Sequence, residues 1–152
     1  MLKTFYLMRE MSHSVLAADT LTSYLQDLET AAAAGRNLMT EKYARMENLI
    51  PSLNENELIY KIVDIERKWL SEVHKKYPLT IAVEGGFTTY AVCELETYSD
   101  ATLNLYYRDI FLAATQKRNL VEERYQYLYG NLGFKDLEEV EALAQKRAAV
   151  KE

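Results

Sequence analysis

The chain contains the stretch RNLMTEKY at residues 36–43 and a second version of it, RNLVEERY, at residues 118–125. The two stretches share Arg, Asn, Leu, Glu and Tyr at the same places and lie 82 residues apart. Without a gap, that offset gives 12 identities in the 42 positions from residue 5 to residue 46. A match at a fixed offset is typical of a duplicated structural unit. The repeat therefore predicts a fold with two related halves.

The composition favours helices along nearly the whole chain. It has two prolines and five glycines in 152 residues, and both types disfavour helix interiors. A chain of this length can bury one core, and no Pro/Gly/Ser-rich linker separates the halves. We predict an all-α fold, a single domain over residues 1–152 with about eight helices arranged as two pseudo-twofold-related four-helix repeats. The repeats would cover about residues 5–76 and 87–150.

Caps and breakers predict the helices of the first repeat. A first helix is expected over residues 5–16, and a second starts at Asp19 or Thr20. Gly35 ends the second helix, because glycine readily adopts the left-handed conformation found at helix ends. Asn37 is a good N-cap for a third helix that runs to about residue 48.

The fourth helix has the clearest apolar stripe in the chain. Asn54 and Glu57 have the spacing of a capping box, and Pro78 predicts an end near Lys76. Apolar residues recur between them at steps of three and four, which is the helical period. The stripe consists of Leu58, Ile62, Ile65, Trp69 and Val73.

The second repeat follows the same plan. Its first helix is predicted over residues 87–97, and its second runs from Ser99 or Asp100 to about Gln116. Asn119 caps the third helix, with Glu122 in the reciprocating position of a capping box. Asp136 with Glu139 caps the last helix, which runs to about Val150. An alternative for residues 79–92 is a β-hairpin, because β-branched residues cluster there around two glycines.

The repeated Arg36 and Arg118 have two interpretations. Each lies five residues before a repeated glutamate, Glu41 or Glu123. In one interpretation each pair is an ion pair that fastens a helix joint. In the other, both arginines lie near the pseudo-twofold axis and hold a carboxylate or phosphate with their planar donors. The second interpretation makes all four residues ligand-binding candidates.

Four further repeated residues complete the candidate site. Tyr43 and Tyr125 would line the inside of the same joint, either as packed rings or as hydroxyl donors. Asp27 and Asp109 lie in mid-helix, where Asp is a poor helix former. Each Asp is expected to accept a hydrogen bond from the Arg or Tyr of the repeated motif, or to contribute a carboxylate to a ligand site.

The remaining composition limits the partners. The net charge of −5, with both signs spread along the chain, argues against nucleic acid as the main partner. The sequence has no run of about 18 apolar residues, so we expect no membrane span. A lone Cys93 fits a reducing cytoplasm and predicts a buried, inert thiol. The twelve tyrosines predict either polar networks inside the protein or an interface.

A metal site has one weak candidate. Glu10 and His13 have the Glu-x-x-His spacing that places two ligands on one helix face. The matched positions of the second copy are Val92 and Leu95, which cannot ligate a metal in that way. No metal ligand is therefore assigned, and the cofactor, if there is one, is unknown.

Two stretches resemble a known family. They are GRNLMTEKYARM at residues 35–46 and ELETYSD at residues 94–100, accompanied by Trp69 and Tyr77-Pro78. Together they resemble an uncharacterised bacterial protein family of unknown function, the domain of unknown function 4125 type. The resemblance implies one intracellular bacterial domain and supplies no reaction.

Three functions are compatible with these patterns. The first is binding of a small polar or anionic molecule between the two repeats, with or without catalysis. The second is a helical interaction or scaffold protein that forms a homodimer through a Tyr-rich face. The third is a metal protein that uses Glu10 and His13. The first predicts a cavity on the pseudo-axis lined by both copies.

Overall fold

The computed structural model describes residues 2–83 and 85–151 and folds them into eight helices. The helices are α1 (Leu2–His13), α2 (Ala18–Ala33), α3 (Leu38–Met46), α4 (Leu58–Lys76), α5 (Phe87–Leu95), α6 (Asp100–Thr115), α7 (Leu120–Asn131) and α8 (Leu137–Lys151). No strand occurs in these two ranges. None of these helices combines the length and apolar content needed to cross a membrane. The all-α prediction is confirmed.

The cap residues of the repeated segments act as predicted. The side chain of Asn37 accepts a hydrogen bond from the Thr40 N–H at the start of α3. Asn119 does the same for α7, and Ser99 for α6. Asp136 accepts from the Glu139 N–H at the start of α8. Because each cap satisfies an otherwise unpaired N–H group, the helix starts could be located from the sequence.

Several boundaries differ from the prediction. Helix α1 lies earlier than 5–16, and α5 ends at Leu95 instead of residue 97. Helix α2 starts at Ala18, after Ala17, which offers no side-chain cap.

The predicted capping boxes are wrong in two places. Helix α4 begins at Leu58, and its N–H donates to Asn56 rather than to Asn54. The Glu122 carboxylate accepts hydrogen bonds from Lys76 and Tyr77, at the C-terminal end of α4, instead of from the Asn119 N–H.

The hairpin alternative is wrong as well. Phe87 begins a helix, and the preceding segment forms a helical turn in which the Tyr77 carbonyl accepts from the Thr80 and Ile81 N–H groups at 3.1 and 2.9 Å. This turn satisfies the backbone groups that a strand pair would otherwise have paired.

The two halves interlock rather than form separate bundles. Helix α1 packs against α7 and α3 packs against α5, while α4 touches α5, α6 and α7. The predicted stripe of α4 faces this core, with Ile62, Trp69 and Val73 buried. One cluster of buried apolar residues contains members from α2 to α8. The single-domain assignment stays a prediction that this shared core supports.

Helices α2 and α6 exchange equivalent hydrogen bonds. Thr20 Oγ1 donates to Asp109 at 2.7 Å, and Thr102 Oγ1, 82 residues after Thr20, donates to Asp27 at 2.7 Å. Each aspartate also accepts the backbone N–H that precedes the partner helix, from Ala17 or from Ser99, at 3.0 Å. The prediction that these aspartates bind the Arg or Tyr of the motif is therefore wrong. Each one caps the opposite helix, where a carboxylate also complements the helix dipole.

Candidate functional site

The repeated arginines are surface residues at the two helix joints. Arg36 donates to both Glu41 oxygens at 2.7 and 2.8 Å, and Arg118 donates to both Glu123 oxygens at 3.0 and 2.7 Å. Their side chains are 52% and 48% exposed. Each arginine thus forms a bidentate ion pair with the glutamate of its own helix joint. The structure does not bring the two arginines together.

The repeated tyrosines lie elsewhere, on a cavity between the two halves. Tyr43 on α3 and Tyr125 on α7 both line a cavity of about 860 Å³. Its other lining residues come mainly from α1 and α5, the helices that pack against α7 and α3. Several of them are equivalent under the 82-residue offset: Thr4 and Gly86, Phe5 and Phe87, Met8 and Tyr90, Arg9 and Ala91, Ser12 and Glu94, Met39 and Val121. Of the eight predicted site residues, only the two tyrosines belong to this lining.

The rim of the cavity is aromatic and apolar. Phe5, Met8, Tyr43 and Tyr90 line the cavity and are 41–48% exposed. Large apolar side chains that are exposed and line a concave surface are typical of ligand pockets rather than of ordinary protein surface.

A group of charged and aromatic side chains lies within the lining, and we call it the cavity floor. It contains Arg9, Glu66, Glu94 and Arg124, together with the rings of Tyr98 and Tyr106. These six residues come from α1, α4, α5, α6, α7 and the turn after α5. Charged groups are rarely this buried unless they are paired, and here they are.

One ion-pair group on the floor centres on Glu94. Its Oε1 accepts from Arg9 Nη1 and, at 3.1 Å, from Lys42 Nζ. Lys42 is 1% exposed in its side chain, and its ammonium lies 3.6 Å from the centre of the Tyr90 ring. Arg9 Nη2 also donates to the Tyr24 hydroxyl at 2.8 Å. Burial acts to raise the pKa of Glu94, but the two cations outweigh it and lower that pKa.

A second group centres on Arg124. Arg124 Nη1 donates to Glu66 Oε1 at 3.1 Å, Nη2 donates to the Tyr106 hydroxyl at 2.8 Å, and Nε donates to the Ser12 carbonyl at 3.0 Å. The Tyr106 hydroxyl donates in turn to Glu66 Oε1 at 2.7 Å. Lys42 and Arg124 lie 82 residues apart, at matched positions of the repeated motif, and both are buried.

A histidine next to the floor has a defined tautomer. His13 Nδ1 lies 2.8 Å from the Arg9 carbonyl, which can only accept, so Nδ1 carries the proton. The neutral ring then accepts at Nε2 from the Tyr98 hydroxyl, 3.3 Å away. Burial lowers the pKa of His13, and the nearby Arg9 and Arg124 lower it further. His13 is therefore a neutral acceptor near neutral pH.

The buried tyrosines form the polar network that their number predicted. The Tyr24 and Tyr98 rings are tilted against each other with centres 4.5 Å apart, and Tyr106 meets Tyr98 edge to face at 6.0 Å. Burial raises the pKa of Tyr24 to about 12 and also raises the pKa values of Tyr98 and Tyr106 well above the usual value of tyrosine. All three hydroxyls stay protonated and act as neutral hydrogen-bonding groups.

The other candidates have structural partners. Glu10 accepts from the Tyr127 hydroxyl, and both ring nitrogens of His13 are bonded, so the Glu-x-x-His pair does not converge on one point. The described residues contain no group of three or more side chains placed to hold a metal ion. Cys93 is buried, and burial raises the pKa of its thiol.

Sequence reasoning missed the floor residues because their partners are distant in the chain. Arg9 and Glu94 are 85 residues apart, and Glu66 and Arg124 are 58 apart. One signal was available. A basic residue occupies the same place in both copies of the motif, as Lys42 and as Arg124, and the two were overlooked because they are not identical.

The sequence of residues 1–142 matches the family described as "Protein of unknown function (DUF4125)". The chain belongs to this family. The expected resemblance is thereby confirmed, and it covers all of α1 to α7 and the cavity lining. No curated protein and no solved structure matches the chain.

Proposed function

We propose that this DUF4125 protein binds a small molecule in the cavity between α1, α3, α5 and α7. The observation that carries the proposal is the cavity itself, about 860 Å³ in volume and lined by equivalent positions from both halves. Small-molecule pockets are commonly about 300–1,000 Å³, mostly apolar, and equipped with a few convergent polar groups. The aromatic rim and the charged floor give this cavity both features.

An unpaired hydroxyl supports the same proposal. Thr80 Oγ1 is the one buried side-chain nitrogen or oxygen, among residues 2–83 and 85–151, that lacks a hydrogen-bond partner. Thr80 lines the cavity. Buried polar groups without a partner are rare in folded proteins, because leaving one unsatisfied costs free energy. A ligand with a polar group near Thr80 would satisfy it.

The test is a thermal-shift screen against a metabolite library, with binding measured again in two glycine variants. A side-chain carbon added at either Gly86 or Gly130 meets no atom within 4 Å, and only Gly86 lines the cavity. Gly86→Trp should abolish the shifts given by library hits, because the indole fills space beside the ligand. Gly130→Trp should keep them.

The joint arginines give a second control. Arg36→Ala and Arg118→Ala should keep every hit, because neither side chain lines the cavity. Hits that survive Gly86→Trp but vanish in the arginine variants would overturn the cavity and place the ligand at the joints. The homodimer stays a prediction, which sedimentation of the same samples would test.

A further inference from the structure

The charges of the ion-pair network formed by the cavity floor and Lys42 do not balance. In the contact network described above, the cations are Arg9, Lys42 and Arg124, and the carboxylates are Glu66 and Glu94. His13 and the tyrosines in contact with them are neutral. Counted over the direct contacts between residues that the structure describes, the network therefore carries one surplus positive charge. A buried charge without a counter-ion is costly, so the site favours an incoming negative charge.

Arg9 is the group placed to meet that charge. Two of its five guanidinium N–H groups donate to Glu94 and Tyr24, and the other three have no partner among the described residues. Its side chain is 18% exposed and lines the cavity. Lys42 does not line the cavity, because Tyr90 covers its ammonium. Lys42 thus contributes positive charge to the network, whereas Arg9 is the cation that would contact a ligand in the cavity.

The apolar side chains that line the cavity together with Arg9 suit a ligand with an apolar part. Phe5, Phe87, Tyr43 and Tyr90 line the cavity, with Met8 and Met39 beside them. Aromatic rings stack well on flat apolar groups, and methionine adapts to irregular ones. An inorganic anion would leave these walls without a partner.

We infer that the ligand is an aromatic or otherwise apolar carboxylate with a single negative charge, held by Arg9 through its carboxylate. This inference rests on the proposed binding function of the cavity and names the class of ligand. One negative charge matches the one surplus positive charge of the network. The ring lies between the aromatic walls, and the planar guanidinium binds the carboxylate with two parallel bonds.

The experiment compares 3-phenylpropionate with 3-phenylpropionamide and 3-phenylpropylamine, using isothermal titration calorimetry. The three probes share a ring and a chain and differ in charge. The carboxylate should bind at least about tenfold more tightly than the amide, which is the size of one charge-assisted hydrogen bond, and the amine should bind most weakly. Inorganic phosphate, added as a competitor, should not displace the carboxylate.

Two variants identify the source of the preference. Lys42→Met removes the surplus charge, keeps the side-chain volume and leaves Arg9 paired with Glu94. Glu94 keeps Arg9 as its counter-ion in this variant, so no carboxylate is left buried and unpaired, and the variant should fold. It should lose most of the roughly tenfold preference for the carboxylate over the amide. Arg9→Gln should lose the preference as well, and Arg36→Ala should retain it.

The outcomes separate the two proposals. Equal affinity for the carboxylate and the amide, with binding abolished by Gly86→Trp, would overturn the ligand class and leave the cavity function standing. Carboxylate binding that survives both Gly86→Trp and Lys42→Met would overturn both proposals. Binding of none of the three probes, while library hits are still abolished by Gly86→Trp, would overturn the ligand class and leave the cavity function standing.

Discussion

The helix joints and the cavity floor use the same types of residue in opposite ways. At the joints, Arg36–Glu41 and Arg118–Glu123 are ion pairs between side chains five residues apart, and they are open to water. On the floor, Arg9–Glu94 and Arg124–Glu66 join helices that are distant in the sequence, and their side chains are only 7–18% exposed. Surface pairs contribute little free energy, whereas breaking a buried pair is costly. The Arg and Glu of the repeated motif fasten the joints, whereas the buried ion pairs lie on the cavity floor.

The largest expected effect is on the floor. Arg124→Ala leaves the Glu66 carboxylate buried without its cation and should lower the free energy of unfolding by about 3–5 kcal/mol. Arg118→Ala, at a joint, should lower it by about 0–1 kcal/mol. Denaturant unfolding of both variants checks the difference. Equal losses would show that burial does not distinguish the two regions.

The two caps should differ by a smaller amount. Asn37 makes one side-chain bond, to Thr40, whereas Asn119 also donates to the Trp69 carbonyl at 3.0 Å. Asn37→Ala should cost about 1 kcal/mol, and Asn119→Ala about 2 kcal/mol, because it loses a cap and a tertiary bond. Thermal unfolding of the two variants measures this. A larger loss of stability in Asn37→Ala than in Asn119→Ala would contradict a stabilising role for the hydrogen bond from Asn119 to the Trp69 carbonyl on α4.

The smallest expected effect is a pH dependence that comes from the floor. The pKa of His13 is lower in the folded protein than its usual 6.5, so the unfolded chain binds the proton more readily. The stability that follows from this neutral form is present above pH 6.5 and is lost as the pH falls towards the lowered value. In His13→Gln, the free energy of unfolding should change less with pH in that window. In Arg36→Ala, its dependence on pH should stay the same. An unchanged slope in His13→Gln would mean that another group titrates there.

The fold was largely predictable from the sequence because its signals are local. Asn37, Ser99 and Asn119 mark helix starts within three residues, and the α4 stripe marks its own buried face. The ends of α1 and α5 were missed, since no cap or breaker marks them. The role of Asp27 and Asp109 was missed as well, because it depends on how α2 lies against α6.

The site was much less predictable. A repeated residue is conspicuous whether it fastens a joint or lines a cavity. Arg36 and Tyr43 are similarly exposed, and only the tertiary structure shows that Tyr43 lines the cavity and Arg36 does not. The ion pairs of the network join residues that lie 52 to 85 positions apart in the sequence. Its surplus charge becomes visible only when Lys42 is seen to share the carboxylate of Glu94 with Arg9.

A crystal structure of the protein with 3-phenylpropionate tests the central claim most directly. The account predicts electron density for the ring between Tyr43 and Tyr90, with the carboxylate bonded to the Arg9 guanidinium. Density for the carboxylate at Arg36 or Arg118, with the cavity holding none, would contradict it.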